Sequence, residues 1–393
     1  MMFYKETEFQ DSPIGKIPKD WGVQELGDKS IADIIAGQSP PSSTYNKENR
    51  GLPFLQGKME FGEMFPSPTT YCLEPIKRAK KDDVLLSVRA PVGDVNIAPS
   101  ECCIGRGLAA IRAKVDKLNH LFLFYYLKLE SKRFEALSTG STFKAIRIRE
   151  IERFSVPVPS LDEQRGVVGV LGVVDSAIEL VDRVIWKTER LKKGLMQELL
   201  TRGIGHKEYK DTPIGKTPKT WQILQVGDLF SLEYGKGLPD RERIPGPYPV
   251  VGSNGVIGHH NQALVKGPGI VVGRKGTIGA VSWIDEDFWP IDTTYYVKLK
   301  TTNMSLKWLF HALAYLNPAR FHLADVVPGL KRELVYSLKI GFPSLPEQEK
   351  IADVLSTIDR KLDLERKEKS KLERVKRGLM DLLLTGKVRV KVD

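Results

Sequence analysis

Two stretches of the chain carry apolar residues at alternating steps of four and three. Val167, Leu171, Val174, Ile178, Val181 and Ile185 form the first, continued by Leu195 and Leu199 after the polar Thr188 and Lys192. Ile351, Leu355, Ile358 and Leu362 form the second, which resumes at Leu372, Val375 and Leu379 after Glu365 and Lys369. This spacing is a narrow coiled-coil seam. Each run of about 38 residues predicts a helix roughly 57 Å long. Both helices start on a Pro-Ser-Leu segment followed by Glu163-Gln164 or Glu347-Gln348, a helix-start signature. Ahead of each helix lies a Gly- and Pro-rich stretch with short β-branched runs, such as Asp83–Val88 and Gly269–Val272, which predict strands. Each stretch also holds one amphipathic helix, Asn119–Leu137 or Ser305–Leu316. A narrow seam needs a partner, and the other long helix supplies it. The folded segment between them makes an antiparallel pairing the expected one.

The chain repeats itself. DSPIGKIPKDWGVQELGD at 11–28 and DTPIGKTPKTWQILQVGD at 211–228 share 10 of 18 positions. The segments 159–203 and 343–387 share 19 of 45. Chance does not give two such pairs in the same order, so the chain is one unit of about 190 residues present twice. The interiors align more loosely, with LLSVRAPVG at 85–93 falling on VVGRKGTIG at 271–279. The predicted fold class is α+β. Two mixed α/β domains are separated by two long helices that form an antiparallel coiled coil, with pseudo-two-fold symmetry from the duplication. The boundaries are 1–158 for the first domain, 159–205 for the first helix, 206–342 for the second domain and 343–393 for the second helix and tail. Gly166, Gly169 and Gly172 align with the polar Lys350, Asp353 and Ser356, which puts that stripe off the seam, either exposed or where another chain comes close.

Composition changes the picture only modestly. The 393 residues are 41% hydrophobic and 28% charged, ordinary for packed domains. No apolar run is long enough to span a bilayer and no apolar leader opens the chain, so a cytoplasmic protein with no membrane contact is expected. Cys72, Cys102 and Cys103 lack metal or disulfide spacing, as do the histidines, so no metal site is expected. The net charge of +11 favours an anionic partner. Both domain interiors share it: residues 29–158 hold 20 Lys and Arg against 14 Asp and Glu, and residues 229–342 hold 13 against 9.

Enzymatic motifs are missing or broken. The nearest approach to the Asn/Asp-Pro-Pro-aromatic loop of an adenine methyltransferase is Asn317-Pro318-Ala319-Arg320, which fails at its last two positions. Gly215-Lys216-Thr217 has Lys210 where a phosphate-binding loop needs its first glycine. Glu365-Arg366-Lys367 has a nuclease-like spacing but lies on a coiled-coil helix, and Gly252, Gly255 and Gly258 mark turns.

PSLxEQ opening a long helix that ends in LMxxLLT, twice, together with PIGxxPKxW ahead of each variable interior, resembles the conserved regions of type I restriction-modification specificity subunits. The resemblance covers essentially the whole chain. It implies a non-catalytic subunit in which each variable interior is a target recognition domain reading one half of a bipartite double-stranded DNA site. The helix pair would set the spacer. It further implies two methyltransferase subunits that carry S-adenosylmethionine and methylate adenine N6, restriction subunits that use ATP, and no cofactor in this chain. The seams also allow two copies of the chain to pair as a homodimer when partners are absent. Two other readings stay open: a fused methyltransferase, for which the chain is short, and a coiled-coil protein-interaction scaffold without DNA specificity.

Candidate DNA contacts are long polar side chains on predicted turns. Arg89 aligns with Lys275, beside Arg274. Lys144 and Arg147 follow Gly140-Ser141, and Arg147 aligns with Lys331 after Pro328-Gly329. Tyr234, Lys236, Ser253 and Asn254 are further polar turn residues of the second domain. Arginine can pair with guanine in two-pronged fashion and asparagine with adenine. Trp21 and Trp221 align and are read as packing residues where domain meets helix.

Overall fold

The repeated PIG segment is a tight hairpin in both copies. Phe9–Ser12 pairs with Gly15–Pro18, and Tyr209–Thr212 with Gly215–Pro218. Each turn needs glycine, because Gly15 and Gly215 have φ near +100° (+98° and +101°), where a side chain is strained. The computed structural model describes residues 2–138, 144–321 and 329–391. It forms two compact units. The first comprises residues 1–181 with 368–393, the second 182–367. Each long helix therefore gives one part to each unit, and the compact units divide inside the helices rather than at the helix ends.

The first unit is built on an antiparallel four-stranded sheet in the order Val95–Ile97, Val84–Ser87, Leu108–Ala113, Ala32–Ala36. The second repeats it as Val281–Ile284, Gly269–Gly273, Thr294–Leu299, Phe230–Tyr234. A second sheet flanks each, five-stranded in the first unit and three-stranded in the second. One pair is parallel in both: Leu52–Leu55 with Cys102–Ile104, and Tyr248–Gly252 with Trp289–Pro290. All three cysteines lie buried here, and burial pushes the Cys102 and Cys103 thiols up to about 12, so they act as small apolar groups.

A helix covers each main sheet. His120–Leu129 starts on Asn119, whose Oδ1 accepts from the Leu121 and Phe122 amides. Leu306–Leu316 starts on Ser305. The single helix expected over Asn119–Leu137 is broken at Glu130. The chain turns there so that Phe134, in Ser131–Leu137, stacks on Phe154 at 4.1 Å.

The long helices span Leu161–Thr201 and Leu345–Leu384. Gly203 and Gly386, at φ +68° and +70°, close their C-terminal ends. Within each unit the two helix segments run antiparallel. In the first unit Lys376 pairs with Asp175 at 2.5 Å, and in the second Lys192 pairs with Asp359 at 2.5 Å. These are the same residues of the repeat, one from each copy. A head residue completes each node. The Tyr125 hydroxyl donates to Asp175 at 2.5 Å, and His311, at the matching position, lies 3.8 Å from Asp359. Burial keeps His311 neutral, its pKa pushed down to about 4.

These nodes correct the expected seam. Val167, Leu171, Ile351, Leu355 and Leu362 are buried, and Val174, Ile178, Val181, Ile185, Ile358 and Leu372 are partly so. Val375 is 51% exposed, and Lys376 beside it is buried at 7%. Its ammonium lies 5.8 Å from the Tyr125 ring centre and meets Asp175, so a lysine occupies the seam. The glycine stripe is also not wholly off the seam. Gly166 is buried, Gly169 is exposed, and Gly172 has open space where a Cβ would stand.

The repeated motifs meet where head joins helix. The Trp21 indole donates to Glu163 at 3.0 Å, and the Trp221 indole to Glu347 at 3.0 Å. Gln164 accepts from the Asn119 amide at 2.7 Å and donates to the Lys117 and Pro159 carbonyls. Gln348 accepts from the Ser305 amide at 2.9 Å and donates to the Pro343 carbonyl at 2.9 Å. PSLxEQ recurs because its Glu and Gln clamp each head onto its helix. Gln348→Ala leaves a buried donor and acceptor unpaired and is expected to cost about 1–3 kcal/mol for each group so exposed. Chemical denaturation checks this, with Gln348→Glu as the isosteric comparison.

Candidate nucleic-acid interface

In both units three strands of the main sheet bring their ends to one edge. In the second unit Phe230–Tyr234 and Gly269–Gly273 end where Thr294–Leu299 begins. Four loops gather there, around residues 235–237, 274–279, 291–293 and 329–332. Gly235 is required, because a Cβ would stand 2.2 Å from the Ile291 carbonyl oxygen. The Arg274 and Lys275 amides both donate to the Thr293 carbonyl, and the Leu330 amide donates to the Arg274 carbonyl at 2.9 Å.

The first unit is assembled by equivalent bonds. The Val88 amide donates to the Gly107 carbonyl at 2.9 Å, the Ile146 amide to the Val88 carbonyl at 3.0 Å, and Arg89 bridges to Ala145. The two loops expected to face DNA in each head are thus zipped together by main chain. Arg89, Lys144 and Arg147 are exposed on one of these edges, and Lys275 and Lys331 on the other. Lys144 lies 3.6 Å from Glu135, a surface pair worth little. Gly140, Ser141 and Pro328 fall outside the described residues.

At the second edge Tyr234, 51% exposed, has the guanidinium of Arg274 5.0 Å from its ring centre and that of Arg332 at 4.7 Å. Arg274 also donates to the Asp292 carbonyl at 2.8 Å, and Arg332 to the Leu232 carbonyl at 3.2 Å. Behind them Tyr295 bonds the Leu330 carbonyl, and its buried phenol is pushed up to about 12. Two fixed guanidinium groups on an exposed ring suit bidentate recognition of phosphate or guanine. Lys236 lies over Trp289, whose indole donates to the Lys236 carbonyl. Ser253 packs against Gly273 and Gly276, which joins it to this cluster. Asn254 stands exposed at the tip of the neighbouring hairpin.

Comparison with known proteins agrees with this duplicated architecture. The family model for the type I restriction modification DNA specificity domain matches residues 18–188 and again 218–374. The chain belongs to this type I specificity family. It is 47% identical over 198 residues to the MjaX type I restriction enzyme specificity subunit of Methanocaldococcus jannaschii, a match spanning 50% of this chain and 47% of that relative. The MjaVIII specificity subunit of the same organism is 24% identical over 100% of this chain and 98% of its own length. In fold, the chain is similar to the type I restriction-modification S subunit from M. genitalium, with a TM-score of 0.65 and 19% identity over 95% of this chain and 97% of that one.

In a specificity subunit the chemistry to look for is recognition, and three residues at the two edges escape a turn-based reading. Arg106 is exposed between Gly105 and Gly107, Asp292 is exposed at the equivalent tip, and Arg332 opens the short helix after Lys331. The Gly-Arg-Gly run was the available signal for Arg106. Asp292 had none, because an acidic residue is not sought on a DNA-facing surface. A separate cleft of about 1530 Å³ lies in the second unit between head and helices, where Lys307 stands 3.7 Å from the Trp283 ring centre. Its rim mixes Lys193, Arg360 and Arg366 with Glu189, Asp285 and Asp363, so its charge does not favour a phosphate backbone. Among the described residues no acidic, His or Cys cluster is suited to a metal, and no helix is long and apolar enough to cross a membrane.

Proposed function

We propose that this chain reads a split DNA sequence for a type I restriction-modification complex. Each head reads one half-site, and the helix pair fixes the unread spacer between them. The observation that carries this reading is the loop edge present in both units. Its main-chain frame is the same in each, it is lined by exposed cations, and the side chains at its tips differ. A common frame supplies phosphate-binding charge, and differing tips supply different sequences.

The chain contributes no catalytic group in this reading. Two methyltransferase subunits carry S-adenosylmethionine and methylate adenine N6, and restriction subunits use ATP. Val173, Leu180, Trp186, Leu191 and Leu364 are exposed on the long helices, which supports partner chains docking along them. The same residues would pair copies of this chain when partners are missing.

The test is methylome sequencing of a host expressing the chain with its cognate methyltransferase subunit, with and without the chain. The expected result is a bipartite N6-methyladenine motif that depends on the chain. An assembled complex that leaves no such motif overturns the reading in favour of a protein-interaction scaffold.

A further inference from the structure

The loop that crosses from the flanking sheet to the main sheet is held by the same four main-chain bonds in both units. Gly37 to Leu108 at 2.9 Å answers Gly235 to Thr294 at 3.2 Å, and Gln38 to Ile104 at 3.0 Å answers Lys236 to Pro290 at 2.9 Å. Gly105 to Leu55 at 2.8 Å answers Ile291 to Val251 at 3.0 Å, and Val88 to Gly107 at 2.9 Å answers Arg274 to Thr293 at 2.9 Å. These bonds place Arg106 and Asp292 at one structural position, the loop tip between two anchored neighbours.

Each tip has its main chain tied down and its side chain left open. The Arg106 amide donates to Ser39 Oγ at 3.2 Å, and the Asp292 carbonyl accepts from Arg274 at 2.8 Å. Both side chains are exposed, and neither forms an ion pair among the described residues. Among the described residues the Asp292 carboxylate has no ion-pair partner, although Arg274 bonds its carbonyl and the edge also carries Lys236, Lys275, Lys331 and Arg332.

A carboxylate on such an edge works against phosphate binding, since it repels the backbone that the surrounding cations attract. What it can do is accept a hydrogen bond, and the donors that DNA offers from its base edges are exocyclic amino groups. The same position in the other head carries a group that only donates and that matches the two acceptors of guanine.

We propose that positions 106 and 292 are the equivalent base-reading positions of the two heads. Arg106 takes a guanine in the first half-site. Asp292 takes a base bearing an exocyclic amino group, cytosine N4 or adenine N6, in the second. This rests on the reading of the chain as a two-headed DNA reader and adds which residues, and which base chemistry, make the half-sites differ.

The experiment is methylome mapping of the complete methyltransferase complex with the unsubstituted chain, Arg106→Ala, Asp292→Ala and Asp292→Arg. Arg106→Ala is expected to relax one guanine position of the first half-site by roughly ten- to a hundredfold, leaving the second half-site and the spacer intact. Asp292→Ala relaxes one position of the second half-site alone, and the base lost there distinguishes cytosine from adenine. Asp292→Arg moves that position toward guanine. The half-site that should not change is the internal control for folding in every variant.

Where methylation is too weak to map, anisotropy titration of duplexes substituted one base pair at a time reads the same discrimination. Unchanged base preferences in the alanine variants, with uniformly weaker binding and a salt slope reduced by about one for Arg106→Ala, would make these phosphate or surface residues and overturn the proposal. Absence of any bipartite motif with the unsubstituted chain would instead overturn the functional reading beneath it.

Discussion

Arg389→Ala is expected to destabilise the first unit by about 3–5 kcal/mol, a fall of roughly 10 °C in its unfolding midpoint. The chain's two ends pair there as a two-stranded sheet, Met2–Lys5 against Val388–Lys391. From that sheet the Arg389 guanidinium, 7% exposed, reaches three carboxylates. It contacts Glu163 at 2.5 and 2.8 Å, Asp20 at 2.8 and 2.9 Å, and Glu6 at 2.6 Å. Glu163 also holds the Trp21 indole. Alanine leaves the buried Glu163 charge with a single neutral donor and gathers three negative charges without a cation. Arg389→Lys should recover only part of the loss, because one ammonium cannot present a planar fork to three acceptors. Acid should shrink the difference. Hydrogen bonding to Arg389 holds the Asp20 carboxyl below its ordinary value, and the Glu8 amide together with Arg389 does the same for Glu6. Folded values below the unfolded ones give stability that is present at neutral pH and is lost as pH falls below about 4 toward the folded values. Calorimetry at neutral pH and near pH 3 tests both parts. A neutral-pH midpoint within about 2 °C of the unsubstituted chain would show that the network contributes little.

The duplication is legible in sequence because the junction between head and helix fixes side-chain identity. Trp21 with Glu163, and Trp221 with Glu347, need an indole donor and a carboxylate at set places, and Gln164 and Gln348 need an amide that accepts and donates at once. Main-sheet strands were visible as β-branched runs. The terminal sheet was not: Val388–Lys391 alternates apolar and basic residues, but its partner Met2–Lys5 does not, and the whole chain separates the two. The seam error at Val375 has one cause: a periodicity argument assigns lysine to the surface, and Lys376 is buried by a carboxylate and a tyrosine that other segments supply.

The frame of the candidate edge was legible in part for a similar reason. Aligning Arg89 with Lys275 and Arg147 with Lys331 found both zipped loops, since the repeat preserves their frame. The residues that distinguish the heads lie where the copies diverge. Arg106 and Asp292 share a position through main-chain bonds, and the offset of 186 that aligns 85–93 with 271–279 pairs them as well, but their opposite charges do not read as one shared contact. Arg332 matches Ile148 of the first unit, so comparison of the copies could not flag it either.

Lengthening both long helices by one heptad each is expected to lengthen the spacer by about three base pairs and leave both half-sites unchanged. Seven residues keep each seam nearly in phase, since two turns of an α-helix take 7.2 residues. They add about 10.5 Å, and the duplex rises roughly 3.4 Å per base pair. The insertions belong where the compact units divide, after Val181 and after Lys367, so that the Asp175–Lys376 and Asp359–Lys192 nodes stay intact within their own units. The added base pairs carry the second half-site roughly 100° around the duplex, whereas the helix surface drifts only about 20° per heptad. Binding should therefore weaken even as the spacer lengthens, because DNA twist or head rotation must absorb the difference. Methylome mapping separates the contributions. The old half-sites with a longer spacer establish the helix pair as the element that sets the distance. The old half-sites with the old spacer show that partner subunits or the DNA set it. An insertion in one helix alone should break the antiparallel register and lose assembly, which size-exclusion chromatography of the complex would report.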